Sequence, residues 1–295
     1  LLAYNLSNQL DNTLRPMDFI SNHLISDMAF RSALSSLHTL PREVPGNARF
    51  ITEAEQAIRF RLATYSIIKN FYAVIVFNHN KNLFSSNYRE HLNAEDEEGK
   101  LLDLPWIFKA KEAAGSMISI PPMEDPLDEE SQTVVFGRAR ALPGFHDELG
   151  FIAVLGKHED LGPLFSIPDP DYVQVMAYLE DGSVLFHSRE TDPALQTYYK
   201  TASKAFLPGF FVNPVTGIEE AFTAYVSDYS GISVVLVLDR KILLAPLRLI
   251  RNLAVGVGFL LILFSFAYNI ISSRVLTRPL KLITERMEET ELSNL

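Results

Sequence analysis

Cysteine is absent from all 295 residues. That excludes thiolate zinc sites, disulfide staples and a thiol nucleophile. Positive charge is in short supply: 26 Lys and Arg against 36 Asp and Glu leave a net charge of −10. Such a balance argues against nucleic acid, whose phosphates are met by a surplus of basic side chains. No G-x-S-x-G elbow, phosphate-cradling glycine loop or dinucleotide fingerprint occurs. The histidines (His23, His38, His79, His91, His146, His158, His187) form no H-x-x-x-H pair. Acidic runs at Glu95–Glu98 and Asp125–Glu130 lack the spaced ligands and central glycine of a calcium loop, and read as solvated loops. No catalytic constellation, cofactor or metal site emerges, so these residues read as a binding module rather than an enzyme.

What is present is apolar surface, 47% of residues, in a chain long enough for two or more folded units. The run LAVGVGFLLILFSFAYNII, Leu253 to Ile271, carries no charge. As a helix it measures roughly 28 Å, close to the hydrocarbon thickness of a bilayer. It reads as a membrane span. Arg240, Lys241, Arg248 and Arg251 on one side balance Arg274, Arg278, Lys281 and Arg286 on the other, so charge does not set the orientation. Ala254 and Gly258 make one small-xxx-small pair of the kind that lets helices associate. Leu1 to Tyr4 read either as the last turn of a preceding membrane helix or as a frayed helix end.

Leu6, Leu10, Leu14, Met17, Ile20, Leu24 and Met28 recur at steps of three and four, one apolar face of a long helix bent near Pro16. A second helix is expected over Phe30–Leu40. Thr52 and Glu55 suggest a capping box opening a third, which runs to about Asn70. From Phe71 the pattern turns to strand: a hairpin (Phe71–Phe77, Leu83–Ser86), a short helix (Trp106–Ala114), then strands Met117–Ile120, Thr133–Leu142 and Gly150–Gly156. Pro122–Glu130 reads as a loop by its prolines and charges. SIPDPD, Ser166 to Asp171, is a boundary, and after it the order recurs. A hairpin (Tyr172–Ser188) and a helix (Pro193–Phe206) precede strands Gly209–Val212, Glu219–Ser227 and Gly231–Leu238. FNHNKNLFSS (Phe77–Ser86) is echoed by LEDGSVLFHS (Leu179–Ser188), and GFIAVLG (Gly150–Gly156) by GISVVLV (Gly231–Val237). The class is therefore α+β, with two tandem five-stranded antiparallel sheets, each crossed by a helix.

This layout resembles bacterial receptors with a double Cache sensor, in which a long helix leads into two tandem PAS-like sheets and then a transmembrane helix. SRVLTRPLKLITERMEETE, Ser273 to Glu291, resembles the start of a HAMP linker. Arg278, Pro279 and Leu280 lie just inside the membrane, followed by a seam through Leu280, Ile283 and Met287. The whole string is most similar to YesM-type sensor histidine kinases. The resemblance implies a helical stalk (1–70), a membrane-distal unit (71–165), a membrane-proximal unit (166–245), a span (246–272) and a first HAMP helix (273–295). It implies an extracytoplasmic sensor, a cytoplasmic C-terminus, a first transmembrane helix before Leu1, a homodimer and a response-regulator partner. A membrane-bound AraC-like regulator, a chemoreceptor, a cyclic-dinucleotide cyclase and a ligand-free dimerisation scaffold remain open as alternatives.

Cache domains hold small molecules between the sheet and its flanking helix, usually in the distal unit. By strand alternation Phe136, Arg138 and Arg140 share one face, and a buried Arg suits a ligand carboxylate through two parallel donors. Trp106 and Lys109 would add a wall and a charge. Pro246, Arg278, Pro279, Leu280, Ile283 and Met287 are the residues expected to pass the signal on.

Overall fold

The computed structural model describes residues 1–65, 71–80, 82–87, 100–127, 132–144, 148–167, 172–205, 208–240 and 244–292. The chain divides into two compact units, Leu1–Asp239 and Arg240–Leu295.

The first unit is organised by α1 (Leu2–Ser26), which buries Leu6, Leu10, Leu14, Met17, Ile20 and Leu24. Pro16 lies inside this helix. Met28 is not part of the stripe. The helix stops before it, and Met28 is 84% exposed at the start of α2 (Met28–Thr39). Asp27 makes the break, because its Oδ1 accepts the N–H groups of Ala29 and Phe30 at 2.8 and 3.1 Å and so caps α2. The expected capping box at Thr52 does not form. α3 (Ala48–Ala63) begins four residues earlier, and the Thr52 hydroxyl donates back to the Ala48 carbonyl at 2.9 Å. The stretch expected to carry this helix to Asn70 includes 66–70, which lie outside the described residues.

The first sheet contains β1 (Ala73–Phe77), β2 (Leu83–Ser85), β3 (Ile118–Glu124), β4 (Val134–Pro143) and β5 (Glu148–Lys157). Its order is β2-β1-β5-β4-β3. The second contains β6 (Val173–Tyr178), β7 (Val184–His187), β8 (Gly209–Val212), β9 (Glu219–Val226) and β10 (Ser233–Asp239), in the order β7-β6-β10-β9-β8. One topology has been written twice. Between the second and third strand of each sheet lies a helix, α4 (Pro105–Glu112) in the first and α6 (Pro193–Ala205) in the second; the short α5 (Leu161–Leu164) follows β5. The expected loop at Pro122–Glu130 is partly wrong, since Pro122, Met123 and Glu124 belong to β3. β3 is an edge strand whose register slips between Ile120 and Met123, and edges and bulges are where prolines without an N–H fit.

The repeated hairpins close with the same device. The Ser86 hydroxyl accepts the Val74 N–H at 2.9 Å, while the Ser86 N–H donates to the Val74 carbonyl at 2.9 Å. Ser188 does both to Val175, at 3.0 and 2.8 Å. The closing strands match with a shift of one residue against the sequence echo. Phe77 pairs with Phe151 and its counterpart Tyr178 with Ser233, whereas the strings align Phe151 with Ile232. A one-residue shift exchanges the two sheet faces, and Ile232 accordingly packs on the α1 side.

One continuous core joins the α1 stripe to Val74, Val76, Phe136, Ile152 and Val154 of the first sheet and to Val175, Ala177, Val234 and Leu236 of the second. The opposite faces carry separate clusters, one under α4 and one under α6.

In the second unit α7 (Ala245–Ser272) passes through a π-helical turn, Ser273–Thr277, into α8 (Arg278–Leu292). This helix is long and apolar enough to cross a membrane, and none of its apolar window is buried.

Gly137 on β4 pairs with Leu155, and a Cβ there would stand 2.2 Å from the Val154 carbonyl oxygen. Gly137→Ala is expected to destabilise the first unit by about 2 kcal/mol or more, read as a lower urea midpoint in residues 1–239. An unchanged midpoint would contradict the packing described.

Candidate functional site

In the first unit Pro105 starts α4, where its missing N–H is harmless. The helix then buries Trp106, Ile107 and Ala110 against Ala73, Ile75 and Phe77 of β1 and Phe151 and Ala153 of β5. Trp106 meets Phe77 edge to face, centroids 5.9 Å apart. β4 presents only Val135, Gly137, Ala139 and Ala141 to this face. Beneath so little side-chain bulk, the buried Trp106 Nε1 has no hydrogen-bond partner among the described residues. A buried donor left without a partner is costly, on the order of 1–3 kcal/mol. Nearby in the same cluster, Tyr72 donates its hydroxyl to Asp125 at 2.6 Å, and the Leu127 N–H reaches the other carboxylate oxygen at 2.9 Å. Asp125 is thus buried and bonded, not part of a solvated acidic loop. Residues 128–130 of that run, and the Glu95–Glu98 run, lie outside the described residues, as do His91 and His146. Among the described residues no group of three His, Asp or Glu is placed to hold a metal ion.

The corresponding face of the second sheet carries bulkier side chains, although the buried Ser233 hydroxyl on it also has no partner among the described residues. Tyr199 on α6 donates to Glu220 at 2.9 Å, and Asn213 donates to the Tyr199 hydroxyl at 3.1 Å and to both Glu220 oxygens. Burial and this carboxylate push the Tyr199 phenol pKa well up. Phe222 pairs with Val237, the position equivalent to Gly137 opposite Leu155, so a ring stands where the first sheet has a hydrogen.

Phe136, Arg138 and Arg140 do share a face, but it looks onto α1, away from Trp106. The carboxylate that Arg138 holds is the protein's own. Its Nε and Nη2 donate to the two oxygens of Asp18 at 2.9 and 3.2 Å, and its Nη1 donates to the Ser119 hydroxyl at 2.7 Å. Arg140 donates to the Gly115 carbonyl and to Asn22 at 2.7 and 2.6 Å. Tyr229, in the turn between β9 and β10, also donates to Asp18 and lies 4.6 Å beneath the Arg15 guanidinium. Burial first, and then the Asp18 carboxylate, push the Tyr229 phenol up to about 12. Ser227 and Ser230 of the same turn donate to the two oxygens of Asp11, each at 2.6 Å. Sequence reasoning missed Asp11 and Asp18. Their signal was two acids seven residues apart beside the apolar stripe of α1, on a buried face that also carries Ser7 and Ser21.

A cleft of about 600 Å³ opens between the two sheets. Lys109, Ser119 and Arg138 line it from one side, Glu180, Asp181 and Tyr229 from the other. Lys109 and Arg138 therefore meet in one cavity, while Phe136 and Trp106 are core residues on opposite faces of the first sheet. Lys109 donates to Asp181 across the cleft. Burial alone would raise the Asp181 carboxyl, but Lys109 and the Ser183 N–H hold it below its usual value.

Of the expected transmission residues, Pro246 lies in the first turn of α7. Arg278, Pro279 and Leu280 open α8 directly after the π-helical turn, and Leu280, Ile283 and Met287 are exposed at helical spacing.

No protein-family model matches the chain, and no curated protein does. Solved structures do. The ligand-binding domain of the Pseudomonas aeruginosa PAO1 amino acid chemoreceptor PctC with GABA is 15% identical, at a TM-score of 0.48, over 80% of this chain and 93% of that one. The ligand-binding domain of the Pseudomonas fluorescens chemoreceptor CtaA with L-isoleucine is 15% identical, at 0.46, over 81% and 94%. That of the Campylobacter jejuni chemoreceptor Tlp3 with L-valine is 12% identical, at 0.44, over 81% and 97%.

Two outcomes test this geometry. Arg138→Met strands the Asp18 charge in a buried site and is expected to lower stability by about 3–5 kcal/mol, measured by urea unfolding of residues 1–239. The Tyr229 phenol keeps its proton longer in the folded chain than at its ordinary value of 10.0. Its contribution is therefore complete below pH 10 and is lost as pH rises through about 12. Tyr229→Phe should make that alkaline loss shallower; an identical slope would remove Tyr229 from the account.

Proposed function

We propose that this chain is the extracytoplasmic sensing module of a membrane receptor, and that it takes a small molecule on the α4 face of its first sheet. The observation that carries the reading is the asymmetry between two sheets of one topology. The second sheet fills its helix-covered face with Phe222 and a satisfied Tyr199–Asn213–Glu220 cluster. The first leaves small residues on β4 and a buried indole N–H without a partner among the described residues. A polar donor inside an apolar wall is what orients a small ligand. In this reading α7 crosses the bilayer and α8 begins a cytoplasmic HAMP-type linker that dimerises through Leu280, Ile283 and Met287, whose exposed spacing supports a partner helix. Feeding a histidine kinase and its response regulator is the output that the Ser273–Glu291 string supports.

Trp106 is the single tryptophan of the chain, so its emission reports this site alone. A small-molecule screen of the full chain in lipid nanodiscs should yield a compound that raises the melting temperature and shifts Trp106 fluorescence together. At a hundred times its Kd such a ligand adds about 2.7 kcal/mol of stability. A stabilising compound that leaves Trp106 emission unchanged would place the ligand elsewhere.

A further inference from the structure

We infer that the Lys109–Asp181 contact is a latch that reports the position of α4 to the second sheet; the inference rests on reading the α4 face as the ligand site. Two side chains of α4, one helical turn apart, meet different sheets. Trp106 packs on the first sheet, and Lys109 reaches Asp181 in a turn of the second. Asp181 sits in the turn between β6 and β7 and works in two directions at once. One oxygen accepts from Lys109, and the other accepts the Ser183 N–H at 2.7 Å, which shapes the turn itself. The Leu179 N–H donates to the Ser183 carbonyl at 2.9 Å and the Gly182 N–H to the Leu179 carbonyl at 2.8 Å, so the turn is a small closed unit. Gly182 has φ +83°, a conformation that favours glycine, and the end of the Lys200 side chain from α6 lies over it. A shift of α4 is thus handed to a turn whose shape is held by its own hydrogen bonds. Beyond the turn, β6 pairs with β10 from Ser233 to Leu238, and β10 is the last strand before the apolar helix in the sequence.

The latch spans the cleft of about 600 Å³, a gap that leaves the two sheets room to change their separation. It is also a weak contact by nature. The Lys109 and Asp181 side chains are 44% and 33% exposed, and ion pairs of that kind contribute little to global stability. That weakness makes the inference testable, because removing the pair leaves the fold in place.

The test is a double-mutant cycle in the full chain in nanodiscs, without ligand, read by hydrogen exchange at the Leu179, Gly182 and Ser183 amides. Trp106→Phe disturbs the sheet-facing side of α4 while keeping a ring there. With Lys109 present it should speed exchange in the turn by about fivefold or more, and with Lys109→Met by less than about twofold. Lys109→Arg, which keeps the charge, should restore the response. Equal effects of Trp106→Phe with and without the Lys109→Met change, or no effect in either background, would overturn the latch. Should Trp106→Phe prevent folding, Trp106→Tyr serves in the same cycle. Because no ligand is used, the result stands apart from the fluorescence screen: a failed screen with a positive cycle sinks the sensing site and leaves the coupling, and the converse sinks the latch alone.

Discussion

The carboxylate of Asp18 is held by Arg138 from the first sheet and by Tyr229 from a turn of the second. Two helical turns back along α1, Asp11 holds two serines of that same turn. Much else depends on these contacts. The apolar stripe of α1 provides most of the burial, but hydrophobic contact is not directional and would tolerate a slide along either sheet. Two buried carboxylates, each with named donors, do not tolerate it, because a displaced charge would be left desolvated and unpaired. Register between helix and sheets is therefore set by acids inside a greasy face. The two sheets also touch directly, through β3 against β7 and through Lys109 and Asp181, but α1 holds the buried charges that both of them share.

The two sheets share a frame and differ in what fills it. Ser86 and Ser188 close their hairpins identically, yet across the helix-covered faces the two copies have parted. Phe222 and the Tyr199–Asn213–Glu220 cluster make the second copy a solid support. Gly137 and its alanine neighbours keep the first copy thin under α4. The two sheets thus share one topology and one helical spine but differ in how their outer, helix-covered faces are filled.

The repeat was legible because its signals are local. Alternation, turn residues and the two serines occur within a few positions of one another, and apart from β3 the strand ends fall within two residues of those expected. β3 was misread because prolines usually mark loops, and only the finished sheet shows that this strand is an edge. The closing strands misled in another way: a glycine-led string repeats, but the face of each residue follows pairing, not spelling. Arg138 was expected to meet a ligand carboxylate, and the structure shows it paired with the carboxylate of Asp18. Its partner could not be read, since Asp18 lies 120 residues earlier on a helix noticed only for its leucines. Trp106 and Arg138 looked like members of one constellation until the sheet placed itself between them.

The first helix is made early and satisfied late. Its hydrogen bond to Ser230 joins residues 219 apart, and at about 5–20 residues per second the ribosome needs on the order of 10–40 s to cover that distance. The first sheet is complete at Lys157, but until the β9–β10 turn is made the amphipathic segment keeps Asp11 without its two serines and Asp18 without Tyr229. The buried acids of α1 are fully paired only once the last turn of the second sheet has been made, so completion of this fold waits on one of its latest-made segments.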